Sequence, residues 1–186
     1  MRVFYSAQYL DYSDRLVLIS IGLVREDGRT YYAVNRGLSA RHVLADPSLR
    51  AAAWPYLPTR DDTLLDRSHP DVKMRSRIAA EVDAFLAAVP DLELWSWRGA
   101  YAHVLLCQLF GTELDLPDAV PDWTNDLRQE AHRLGVDPDE LPSQQTRRHH
   151  ALDNAQHHRI IARCLDAAAV SDPLETPGTP LSQAGR

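Results

Sequence analysis

The chain has 186 residues, 45% of them hydrophobic and 25% charged, which fits one globular domain with a sizeable core and excludes a disordered or fibrous chain. Its formal net charge is −6 with the histidines neutral, which argues against coating nucleic acid through bulk positive charge but leaves room for a local basic cleft. No apolar run approaches the ~20 residues that span a bilayer, and Met1-Arg2 leads straight into a strand pattern rather than a signal peptide, so a cytoplasmic protein without a membrane segment is expected.

Strand one is predicted from Arg2 to Tyr9. Alternation puts Val3, Tyr5, Ala7 and Tyr9 on one face, and Phe4, Ser6, Gln8 and Leu10 on the other. Ser6 and Gln8 are therefore polar neighbours on one strand face. Asp11-Tyr12-Ser13-Asp14 reads as a turn. Leu16 to Arg25 follows, an almost unbroken β-branched and Leu run of the kind buried on both faces. Glu26-Asp27-Gly28 signals a hairpin and Arg29 to Asn35 a third strand, which gives an antiparallel meander.

Leu38 to Pro70 is a long connection punctuated by Pro55, Pro58, Asp61-Asp62 and Pro70, with a short helix within His42 to Ala53. Val72 to Ala88 has helical spacing in Ile78, Val82, Phe85 and Leu86. Leu92 to Trp97 alternates as strand four, with one of Trp95 and Trp97 expected toward the core and one away. Ala100 to Phe110 is a helix closed by Gly111. Asp122 is a candidate N-cap for a helix reaching Leu134. Pro138 to Ser143 is loop, and the last helix spans Arg147 to Ala169. Cys107 and Cys164 lie far apart in apolar helical patterns and read as buried thiols rather than a disulfide. The domain is placed at residues 1–170, and the Pro-, Ser- and Gly-rich tail 171–186 is expected to be disordered. The order β-β-β-α-β-α-α-α predicts an α/β protein with a mixed sheet flanked by helices.

Three separated segments carry a family resemblance. They are Phe4-Tyr5-Ser6-Ala7-Gln8-Tyr9 with Leu18-Ile19-Ser20-Ile21-Gly22, then Leu94-Trp95-Ser96-Trp97-Arg98-Gly99-Ala100-Tyr101-Ala102-His103, then His149-His150-Ala151-Leu152-Asp153-Asn154-Ala155. Together they resemble the short bacterial DEDDh 3′–5′ exoribonucleases, from Met1 to about Leu165. The resemblance implies a ribonuclease H-like fold, in which an antiparallel three-strand meander is joined by a parallel strand. It also implies an Asp-x-Glu pair on strand one, an Asp in an Ala-Tyr-Asp context, and His-x-Ala-x-x-Asp on the last helix. In the family the four carboxylates hold two divalent metals and the His is the general base, an instance of two-metal catalysis.

On this chain those positions are Ser6, Gln8, Ala102, His149 and Asn154, so all four carboxylates are absent. Magnesium and manganese favour hard anionic oxygen ligands, and the two metals are expected to be missing here. The expected function is an exonuclease-like protein without two-metal activity, which binds a nucleotide, an RNA end, another anionic ligand or a protein partner. One alternative is a repurposed, metal-independent enzyme that uses Ser6, Gln8, His149 and Asn154. Another is an active exoribonuclease rebuilt around Asp11, Asp14 or Asp153. A homodimer also follows from the resemblance.

Gln8, Trp97, Tyr101, His103, Arg148 and His149 are the candidate ligand-binding residues. Trp97 offers a stacking surface, Tyr101 and His103 lie near a helix N-terminus that attracts anions, and Arg98, Arg147 and Arg148 supply charge. On a continuous last helix, His149, Asp153 and His157 would share one face, and His150, Asn154 and His158 another. Such a set binds zinc only with a further ligand from elsewhere.

Overall fold

A computed structural model describes residues 1–145 and 147–171; the predicted disordered tail lies outside them, apart from its first residue, Ser171, which closes the last helix. The strands β1 (Arg2–Asp11), β2 (Leu16–Arg25) and β3 (Thr30–Asn35) form the expected meander. Its second turn follows from local chemistry. Asp27 Oδ1 accepts from Arg29 N at 3.0 Å, and Gly28 takes φ 95°, a value that glycine adopts freely.

The long connection is built of short pieces: α1 (Ala40–Ala45), α2 (Pro47–Ala52), a 3₁₀ turn at Trp54–Tyr56 and a hairpin of β4 (Thr59–Arg60) and β5 (Leu64–Leu65). Then come β6 (Val72–Lys73), α3 (Arg75–Ala87), β7 (Glu93–Ser96), α4 (Gly99–Phe110), β8 (Asn125–Asp126), α5 (Leu127–Arg133) and α6 (Ala151–Ser171). The six-stranded mixed sheet has the order β6-β3-β2-β1-β7-β8. Pairing is antiparallel within the meander and parallel for β1 with β7, β7 with β8 and β3 with β6.

Three boundaries and one side-chain orientation differ from the sequence pattern. Val72-Lys73 is not helical but pairs with Val34-Asn35 of β3, and the helix begins only at Arg75. Asn125-Asp126 forms an edge strand on Trp95-Ser96, so Asp126 rather than Asp122 caps α5. Two-residue strands carry no periodicity and are defined only by their partners. The last helix begins at Ala151, because Arg147 takes φ 50° and breaks the helical path. Finally, Trp95 and Trp97 both pack against one cluster, as residues two apart on an extended chain must.

Two apolar layers sandwich the sheet. Val3, Tyr5, Ile21 and Leu23 face α3 and α4, where they meet Ile78, Leu86, Leu105 and Leu106. On the other face, Phe4 and Val24 pack with α5 and α6 through Leu127, Ala155 and Leu165. Leu10 and Ile19 belong to a separate cluster that includes Trp54, Leu57 and Leu65 of the long connection. Ser6 and Gln8 lie on β1 between Phe4 and Leu10, and thus between these two clusters.

Candidate functional site

Helix α6 runs antiparallel to β1. Asp166 Oδ1 accepts from Arg2 Nη1 at 2.9 Å, and His158 Nδ1 donates to the Tyr5 carbonyl at 3.0 Å. The start of the helix rests on Gly22, which is paired with Ser6. A Cβ at Gly22 would fall on the backbone of Ala151 and Leu152, so glycine is what lets the helix end approach the strand. Asn154 precedes His158 by four residues and shares its sheet-facing side. Its Oδ1 is buried without a hydrogen-bond partner.

Beside this floor, a cavity of about 460 Å³ is walled by Trp97, Gln144, Arg148, Asn154 and His157. Burial holds the His157 imidazole below its usual range. The structure thus gathers Trp97, Arg148 and Asn154 at one cavity, while Ser6 and Gln8 stand apart from its lining. His149 is exposed immediately ahead of α6. Among the described residues no hydrogen bond joins it to Ser6, the contact a metal-free nucleophile and base would need. Ala102 is 6% exposed and packs in the cluster with α3.

Tyr101 and His103 leave α4 in different directions. Tyr101 lines a second cavity. His103 Nδ1 lies 3.0 Å from Thr124 Oγ1, which also hydrogen-bonds the buried Tyr5 hydroxyl. The first N–H of α4, on Gly99, donates to Asp126 Oδ2 at 2.8 Å, so an internal carboxylate stands where the sequence suggested an external anion.

The other acids near the floor are also engaged. Asp153 Oδ1 lies 2.8 Å from His150 Nδ1, and its Oδ2 lies 3.3 Å from Arg147 Nε. Asp11 Oδ1 accepts from Ser13 N in the turn after β1. Because His149 and His150 precede the helix, the two histidine faces expected on a continuous helix do not form. Among the described residues no three of His, Cys, Asp and Glu come together in a metal-binding group. The donor set at the floor is one hydroxyl and two neutral amides, which does not fit a pair of divalent cations.

The family model for the Rv2179c-like 3′–5′ exoribonuclease domain matches residues 1–165. This chain belongs to that family. It is 35% identical over 179 residues to the 3′–5′ exoribonuclease Rv2179c of Mycobacterium tuberculosis strain H37Rv, which covers 90% of this chain and 96% of that relative. The 3′–5′ exoribonuclease MT2234.1 of strain CDC 1551 matches to the same extent. Within the Rv2179c-like fold the sequence motifs located β1, β7 and the body of α6, though not the residue at which α6 begins. They contained Gly22 without revealing its role and missed Asp126, the two residues that position those elements. A lone glycine inside an apolar strand was the available signal for the first; nothing local marked the second.

Proposed function

We propose that this Rv2179c-like protein holds the 3′ end of a single-stranded RNA in the cleft beside β1 and α6 without two-metal hydrolysis. One observation carries the reading: a cavity walled by an aromatic ring, a guanidinium and an imidazole has Asp139 as its one lining carboxylate, and none stands at the family's metal positions Ser6, Gln8, Ala102 and Asn154. Trp97 would stack a base, Arg148 would meet a phosphate, and the Asn154 side chain, which lines the cavity, would hydrogen-bond a ribose hydroxyl or a base edge. The relatives, which are named 3′–5′ exoribonucleases, suggest the RNA 3′ end as ligand. The replacement of the family's carboxylates at Ser6, Gln8, Ala102 and Asn154 supports the loss of metal-dependent cutting.

The test is manganese titration calorimetry on the purified protein, in parallel with anisotropy and gel analysis of a 5′-labelled RNA with a free 3′ end. Retention of the RNA at unchanged length, with no manganese heat, is the expected result. Manganese-dependent shortening overturns the reading.

A further inference from the structure

A second cavity, of about 620 Å³, opens between the first turns of α4 and α5. Trp97 walls the cleft, and Arg98, the next residue, walls this cavity. Arg98, Tyr101, Arg128 and His132 line it. Among the described residues neither the Arg98 nor the Arg128 guanidinium forms an ion pair or a hydrogen bond. On the same helix, by contrast, Arg133 is paired with Glu130 at 2.7 Å. The carboxylate lining the cavity, Asp126, has one oxygen on Gly99 N and the other on Arg128 N, both at 2.8 Å. In a chain of net charge −6, two unengaged guanidinium groups at one cavity make a local anion site.

The cavity also has a flat wall. The Tyr101 ring stacks on Tyr9 with centroids 5.9 Å apart and planes 8° from parallel. It is 51% exposed, so its outer side can receive another ring. Guanidinium forks match phosphate oxygens, and a fixed phenol ring stacks a base of any sequence.

We infer that this cavity carries the RNA chain on the 5′ side of the end held in the cleft, with Arg98 and Arg128 on phosphates and Tyr101 against a base. The inference rests on the proposed function and adds a subsite that a mononucleotide does not reach.

The experiment compares AMP, by calorimetry, with a 5′-labelled RNA pentamer, by anisotropy at several salt concentrations. The proteins are the wild type, the double variant Arg98→Gln/Arg128→Gln, Tyr101→Leu and the exposed control Arg50→Gln on α2. The double variant should weaken the pentamer roughly tenfold or more, leave AMP unchanged, and flatten the slope of log K against log salt by about 1.4, from ~0.7 per phosphate. Tyr101→Leu should weaken the pentamer roughly tenfold with no change in slope. Arg50→Gln should change neither ligand.

Equal weakening of AMP and pentamer would assign the arginines to the cleft and overturn the subsite. So would an unchanged pentamer, or an equal loss in Arg50→Gln. A hexaglutamate peptide that binds the wild type more tightly than the pentamer, and is lost in the double variant, would make the cavity an acidic-peptide site instead. Failure of the wild type to bind either AMP or the pentamer would remove the proposed function, and this inference with it.

Discussion

His158 on α6 donates its Nδ1–H to the Tyr5 carbonyl on β1 at 3.0 Å, and the same carbonyl accepts from Ser96 Oγ at 2.8 Å. One backbone oxygen beside Ser6 thus ties β1 both to the helix that carries Asn154 and to the strand that leads to Trp97. His158 is 7% exposed, and burial pushes its pKa down to about 4. The unfolded histidine titrates near 6.5. Between these values the unfolded chain binds a proton that the folded chain refuses. Stability is therefore complete above about pH 6.5 and falls as the pH drops toward 4, by up to about 1.4 kcal/mol per pH unit. Burial also lowers His150 and His157, so they act with the same sign. Urea midpoints between pH 7.5 and 4.5 should show this decline, and His158→Gln should shrink it while lowering stability at pH 7.5. An undiminished decline in that variant would remove His158 as a main source.

Gly22→Ala should displace the start of α6, because the added methyl would meet the backbone of Ala151 and Leu152 rather than a yielding side chain. A destabilisation of about 1–3 kcal/mol is expected from overpacking. RNA affinity should fall with it, since Arg148 and Asn154 flank that helix start. Thermal unfolding and anisotropy on the same variant check both. A stable variant with intact RNA binding would show that the helix end yields without disturbing the cleft.

Asp126 has one oxygen on α4 and the other on α5. Asp126→Ala should therefore cost about 1–2 kcal/mol, at the upper end for a single helix cap. Asp126→Asn, which keeps one acceptor oxygen, should recover part of the loss. Chemical denaturation of the three proteins measures this. Equal stability of the wild type and both variants would mean that neither N–H depends on the side chain.

The meander, α3, β7 and α4 were legible because each carries its own signal: alternation in β1, a turn triplet before β3, and helical spacing of Ile78, Val82 and Leu86. The Ser6 and Gln8 pair was legible for the same reason, since strand parity alone puts both residues on one face. What stayed hidden depends on long-range partners. Val72-Lys73 is a strand only because β3 lies alongside, and Asn125-Asp126 only because β7 does. The start of α6 at Ala151 is set by Arg147 at φ 50°, a backbone state that no apolar period reports. The engagement of Asp153 by His150 and Arg147 came from the same break, which the continuous-helix reading could not contain.

Restoring the four carboxylates tests the assignment of the site itself. The variant Ser6→Asp, Gln8→Glu, Ala102→Asp, Asn154→Asp brings four like charges together, and without metal its melting temperature should drop. The drop should be larger than surface charges would give, because Ser6 and Ala102 are 8% and 6% exposed. Manganese should reverse it, since a ligand bound only by the folded state stabilises by about 2.7 kcal/mol at a hundred times its Kd. Shortening of RNA from the 3′ end should then appear in the variant and stay absent from the wild type. A variant that gains no manganese-dependent stability would show that these positions do not converge on a metal site. Equal RNA shortening by the wild type would show that this chain cuts with a donor set other than the family's four carboxylates.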